Sequence, residues 1–404
     1  MSHSPKKITA QDIELPQNSL WRKLPLIGVA LAVIGLGASA GIAWKGGKLH
    51  PQFYFSYLVA YAYWLSLALG GLFFVIVQFA ARAGWSVVVR RIAEHAMLAL
   101  PAFAVLFIPI ALGLHDLYHW SHAEAVAKDL VLQDKAAYLN TTGFYTRAGA
   151  YFILWFVLAW YFWKKSTAQD ESKEAAATKR MQIVAGPSIV IFALTLTFAA
   201  FDWIMSLDPH WYSTIFGPYY FAGTTLAIFS FISLMGVLLQ RSGVLKDVIT
   251  SEHYHDLGKL IFAFTVFWAY IAFSQYMLIW YGNIPEETVW FKHRGGAWLG
   301  MSIFQGVGHF AVPFFFMINR TIKRFKPTLI IGALMVLTVH YFDMYWLIMP
   351  TYHHHGPHFT IVDLTTFVGV GGVFLAVFGY GLARHKLIPA GDPRLKESLA
   401  FKNI

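Results

Sequence analysis

Ten apolar runs, each about 20 residues long and so matched to the thickness of a bilayer, constrain this 404-residue chain more than any other feature. They lie at 24–44, 53–81, 96–115, 143–163, 186–206, 215–239, 256–281, 297–318, 327–349 and 361–383. A segment alone in hydrocarbon must satisfy its own backbone, which a helix does, so the runs predict an all-α integral membrane protein with ten transmembrane helices. The short alternating segments of a membrane β-barrel do not occur. The second and seventh runs are long enough to tilt or to protrude. Composition agrees, because 13% charged residues is about half the share of a soluble domain. The 17% of aromatic residues suits a chain with two membrane–water interfaces to line.

The net charge of +10 is a topology signal. If the runs alternate in direction, 24 Lys and Arg fall on the side of the two termini, including Lys6, Lys7, Arg22 and Lys23. Only seven (Lys45, Lys48, Lys128, Lys135, Arg147, Lys292 and Arg294) fall on the other side. The positive-inside rule then makes both termini cytoplasmic in a multi-pass protein, with no nucleic-acid patch implied. Ala38-Ser39-Ala40 looks like a signal-peptidase site, but the long polar arm before it and the full-length apolar run predict an uncleaved first span. The absence of cysteine excludes disulfides, thiolate zinc, all-cysteine iron–sulfur clusters and covalently attached c-type haem.

No linker or low-complexity tract divides the chain. The expected organisation is a cytoplasmic arm (1–23), one membrane domain (24–383) and a cytoplasmic tail (384–404). Residues 164–185 read as a charged cytoplasmic loop, and 116–142 as an outer loop with a short amphipathic helix. The fifth span ends FDWIMSLDP (201–209) and the ninth FDMYWLIMP (342–350), both running inside to outside with an Asp in the outer third. That spacing of four spans suggests two parallel-related four-helix bundles, 53–206 and 215–349, flanked by the first and tenth spans. A parallel repeat argues against an inverted-repeat transporter plan.

Charges and imidazoles are expensive within a membrane, so the few present are informative. The eighth span carries Ser302, Gln305 and His309 on one face, and the ninth carries His340 and Asp343 one turn apart. Asp202 lies in the fifth, Gln275 in the seventh and Asp363 at the top of the tenth, with Asp208 nearer the outer exit. Nearly all of these groups fall in the outer half, while the inner half offers mainly hydroxyls such as Ser230, Ser233 and Thr265. The distribution resembles a proton path with a wet outer portion, although interhelical hydrogen bonding would use the same residue types. Arg147 needs an acidic partner, with Asp202 or Asp116 in reach.

His309 and His340 also suit the axial ligands of a b-type haem, a weaker reading because haem bundles usually show more than one such pair. Ten of the 17 His lie at the outer side: His50, His115, His119, His122, His210, His293, His353, His354, His355 and His358. No tight zinc pattern is completed, and partner docking is the better reading. Glu286-Glu287 and Asp208-Pro209-His210-Trp211 are placed at the rim of an outer mouth. Prolines 101, 109, 187, 218 and 313 are expected to kink or end helices.

The segments FDWIMSLDPHWYSTIFGPYYFAGTTLAIFSF (201–231) and SQYMLIWYGNIPEETVWF (274–291) resemble the NrfD-type polysulfide-reductase membrane-subunit family. Within it they resemble the second, F-type, membrane subunit of bacterial Alternative Complex III, a quinol:cytochrome c or quinol:oxygen-reductase oxidoreductase. The resemblance extends over essentially the whole chain. It implies two four-helix bundles plus flanking helices, and a subunit without a redox centre of its own. Implied partners are a sister NrfD-type membrane subunit, periplasmic iron–sulfur and c-type haem subunits, a terminal oxidase in some assemblies, and membrane lipids. Menaquinol oxidation is expected at the sister subunit, leaving here a proton path or a further quinone (menaquinone) site whose residues the resemblance does not map. Carried onto this chain, the proton path is Asp202, His309, His340 and Asp343, with Asp208 and Asp363 nearer the exit. A proton-coupled secondary transporter is the leading alternative, followed by a b-haem cytochrome and a structural scaffold.

Overall fold

The computed structural model describes residues 9–403, so Lys6 and Lys7, counted above on the basic side, lie outside the described residues. The structure is 79% helical, and its only strands among the described residues form one two-stranded hairpin. The long helices are α1 (Leu20–Ala43), α2 (Pro51–Ala80), α3 (Val87–Leu112), α4 (Thr141–Ser172), α5 (Ala175–Leu207), α6 (Phe216–Arg241), α7 (Ser251–Gly282), α8 (Gly296–Met317), α9 (Lys326–Thr351) and α10 (Ile361–Arg384). Nine of them, all but α4, are long and apolar enough to cross a membrane among the described residues. The chain is an all-α, multi-pass membrane protein. Helix α4 is 32 residues long, but Tyr151, Trp155, Trp160, Tyr161, Trp163 and the Lys164-Lys165 pair depress its mean hydropathy.

Several boundaries differ from the expectation for a common reason: apolar runs mark the hydrocarbon, and helices do not stop there. Helix α3 starts at Val87 rather than 96, which brings Arg90, Arg91, Glu94 and His95 into the helix. The stretch 164–185 is not a loop. Helix α4 continues to Ser172, Lys173 turns the chain at φ +54°, and α5 resumes at Ala175. The prolines act where their missing N–H leaves a carbonyl free. Pro101 and Pro109 divide α3 into Val87–Met97, Leu100–Leu106 and Ile108–Leu112. Between α1 and α2, Trp44–Lys45 pairs with Lys48–Leu49 across Gly46 and Gly47, whose φ of +59° and +83° supply the tight hairpin turn.

Helices α2 and α6 form the buried centre and pack on each other, with α5 and α9 against both. Helix α4 covers α3 and α5, and α8 covers α7 and α9. Helices α1 and α10 pair along one side, where α10 also packs on α2. That pairing relies on small residues that let the backbones meet. A Cβ added to Gly372 would lie 2.4 Å from the Ala32 nitrogen, and one on Gly28 2.4 Å from the Ala376 nitrogen. Only about a fifth of α1 is buried, so the α10 contact is most of its tertiary support. Gly372→Val is therefore expected to push α1 off α10 and cost about 1–3 kcal/mol, readable as a lower thermal midpoint of the purified protein.

Candidate functional site

The polar residues of the outer half converge at the meeting of α6, α7, α8 and α9. Asp343 is fully buried; its Oδ1 accepts from the Tyr219 hydroxyl at 2.6 Å and its Oδ2 from Trp268 Nε1 at 3.3 Å. His309 Nδ1 lies 3.9 Å from the same Oδ2, and the His309 ring packs on Trp268 with centroids 3.9 Å apart. His340 follows, its ring 6.3 Å from that of His309 and its Nε2 2.9 Å from Ser66 Oγ. Among the described residues, both ring nitrogens of His309 and Nδ1 of His340 have no hydrogen-bond partner, although both side chains are fully buried. Gly223 makes room for this cluster, because a Cβ there would lie 2.9 Å from His340 Cε1. A neutral imidazole offers one donor and one acceptor, so the arrangement can accept, hold and pass a proton. It is a weak haem site, since His340 turns Nε2 to Ser66 and Trp268 covers the His309 ring.

Local backbone explains the placement of His309. Pro313 has no N–H to give the His309 carbonyl, and its ring crowds that oxygen. The helix responds with a π-helical stretch, Gln305–Ala311, a departure that recurs at functional sites.

Tyr219 and Trp268 also line a cavity of about 730 Å³ between α7 and α8. Gln275, Ser302 and Gln305 face the same cavity, so they lie beside the Asp343 cluster without bonding to it. Ser302 Oγ donates to the Arg294 carbonyl at 2.7 Å and accepts from Trp346 Nε1 at 2.8 Å. At the rim, Trp211 stacks on Trp290 at 4.6 Å and donates to the Glu287 carbonyl, joining the two outer segments. Asp208 lies 3.7 Å from His293 at this mouth.

The other predicted acids are engaged elsewhere. Asp202 receives Arg147 Nε and Nη2, each at 2.9 Å, and the Tyr151 hydroxyl at 2.8 Å. Among the described residues no hydrogen bond joins it to the Asp343 cluster. Asp363 caps its own helix: Oδ2 accepts from the Thr360 N–H and hydroxyl, and Oδ1 from Ser56 Oγ at 2.6 Å. Among the described residues, no three His, Cys, Asp or Glu side chains are grouped to hold a metal. Burial and the neighbouring His358 hold the outer-loop His353 imidazole below the ordinary histidine range.

The opposite end of the helices holds a buried charged network that lies outside the apolar runs read from the sequence. Glu94, fully buried, lies 3.2 Å from Arg90 and 3.3 Å from Arg91 and accepts from Ser166 at 2.8 Å. Arg90 reaches Asp392 of the C-terminal tail at 2.6 Å, and Arg91 reaches Asp170 at 2.7 Å. The signal was present in VVVRRIAEHAM, where the arginines precede Glu94 at helical spacings of four and three. Sequence reasoning also missed Tyr219, Trp268 and Ser66 as partners of the Asp-His cluster.

No protein-family model and no curated protein matches the chain.

Glu94→Ala would leave Arg90 with Asp392 and Arg91 with Asp170 but remove the carboxylate they share, so a loss of about 1–3 kcal/mol is expected in denaturant or thermal unfolding. A melt indistinguishable from wild type would refute this account of the inner network.

Proposed function

We propose that this chain is a non-catalytic membrane subunit of a quinol-oxidising respiratory complex, and that it provides a proton path through its outer half. The observation that carries the reading is Asp343 held by Tyr219 and Trp268 beside two buried imidazoles with unpartnered nitrogens. Ionisable groups inside a membrane are functional by default, and this cluster leaves capacity for water where a purely structural network would be saturated. The pair Asp202–Arg147 and the cap at Asp363 support the helices, while Asp343, His309 and His340 carry the proton. The 3.9 Å step between Asp343 and His309 is longer than a direct hydrogen bond, so proton transfer across it requires a small approach of the two side chains or a water between them. Asp208 lies at the outer exit, and Gln275, Ser302 and Gln305 border the wet portion.

The topology that goes with this reading has α4 as a tenth span and both termini in the cytoplasm. Helices α2–α5 and α6–α9 are then two parallel-related bundles flanked by α1 and α10. It is supported by the clustering of basic residues on the terminal side and by like packing within the two sets. The partners follow from the resemblance of 201–231 and 274–291: a sister membrane subunit that oxidises menaquinol, periplasmic iron–sulfur and c-type haem subunits, and in some assemblies a terminal oxidase. The location is a bacterial cytoplasmic membrane.

Asp343→Asn and His340→Ala are expected to lower turnover or protons moved per electron by about tenfold or more while the complex still assembles. If both variants keep wild-type turnover and stoichiometry in proteoliposomes, the path is wrong. Purification of the tagged chain is expected to bring down haem- and cluster-bearing subunits. Recovery of the chain alone, exchanging a substrate for protons, would instead identify a transporter.

A further inference from the structure

The cavity between α7 and α8 has two unlike ends. Its walls are apolar and open sideways: Phe273 is 61% exposed and Ile303 57%, with Val266 and Phe310 deeper along the same furrow. From Leu299 to Phe310 the furrow runs for about 16 Å, at the helical rise of 1.5 Å per residue. Its outer end is closed by Arg294, only 4% exposed. Two of its nitrogens donate to the carbonyls of Trp290 at 3.0 Å and Leu347 at 2.8 Å, while Nε has no partner. The guanidinium lies 3.4 Å over the Trp290 ring and, among the described residues, forms no ion pair with a carboxylate. Asp208 is the acid that acts on it from a distance, and that carboxylate is beside His293. Burial pulls the Arg294 guanidinium down to about 9. Gln275 Nε2 and both amide atoms of Gln305 are likewise unpartnered in side chains 3% and 4% exposed.

A buried cation without a counter-ion, at the interfacial end of an apolar furrow open to the side, is complementary to one kind of molecule. We propose that this groove binds an anionic phospholipid of the outer leaflet, its phosphate on Arg294 and an acyl chain along Phe273, Ile303 and Phe310. A zwitterionic lipid brings its own ammonium, and a neutral quinone ring brings no charge, so neither supplies what Arg294 lacks. A free anion meets the charge but leaves the apolar furrow unfilled. The proposal stands independently of the proton path, although Tyr219 and Trp268 belong to both the groove floor and the Asp343 cluster.

The test uses the delipidated full-length chain in detergent, with lipid retention read by native mass spectrometry and stability by thermal unfolding. One phosphatidylglycerol is expected to be retained at least about tenfold better than phosphatidylcholine of the same chains, with a raised melting temperature. Arg294→Gln is expected to abolish that preference. Ile303→Trp, which blocks the furrow and keeps the charge, is expected to remove retention of both lipids, and it serves if Arg294→Gln fails to fold. Equal retention of the two lipids, or undiminished retention by either variant, overturns the proposal. So does displacement of the lipid by millimolar inorganic phosphate, which would mark a site for a soluble anion, or by menaquinone at equal concentration.

Discussion

An unsatisfied polar group in hydrocarbon finds no water to complete it, and the arrangement of this protein follows from how each such group is answered. Two answers stand side by side. In the first half of the chain Arg147, near the start of α4, meets Asp202 of α5 in a two-point ion pair completed by Tyr151. In the second half Arg294 precedes α8 and Asp343 lies in α9, but the two are not joined. Asp343 takes neutral donors from Tyr219 and Trp268, and Arg294 takes backbone carbonyls and an indole face. The groove lies between them. A closed pair holds helices together; a separated one leaves each charge without its opposite, which is the basis of the proton path and of the lipid site proposed above.

The separation has a backbone origin. Pro313 forces the preceding turns of α8 into a wider π-helical geometry, which carries Gln305 and His309. Gly223 on α6 then lets His340 come within what would be contact distance of a side chain. A proline on one helix and a glycine on another thus create space for imidazoles where ordinary packing would have placed methyl groups. Trp268 occupies the remaining volume and keeps the cluster apart from the groove.

Most of the helix plan was legible because crossing a bilayer demands long apolar runs, and such runs cannot hide in a sequence. The Asp343, His309 and His340 cluster was legible for the converse reason, since charge stands out against an apolar background. The need of Arg147 for an acid was legible, with Asp202 and Asp116 as the two candidates, and the structure joins it to Asp202. Arg90, Arg91 and Glu94 were overlooked because charge also ends an apolar run, so a buried network at a helix end looks like a loop. Arg294 was counted only as one basic residue of an outer loop, since nothing local shows that its neighbours would be tryptophans rather than carboxylates. Tyr219 and Trp268 gave no contrast among so many aromatic residues. Asp202 and Asp363 were read together with Asp343 because Tyr151 and Ser56, which help to hold them, come from other helices whose packing only the fold reveals; Thr360, three residues before Asp363, was a local cap signal that went unread.

The network around Glu94 lies at the end where the first and last parts of the described chain interlock. Ile13 accepts a backbone hydrogen bond from Leu387, Arg22 donates to the Ala383 carbonyl, and Asp392 completes the ion pair of Arg90. Ser398 adds a bond to the Trp85 carbonyl. During synthesis, then, α3 is made before Asp170 and Asp392, and the ion pairs of Arg90 are complete only once residue 392 has been added. A late segment thus latches an early helix, and a chain stalled before residue 392 would leave Arg90 with Glu94 as its one carboxylate among the described residues.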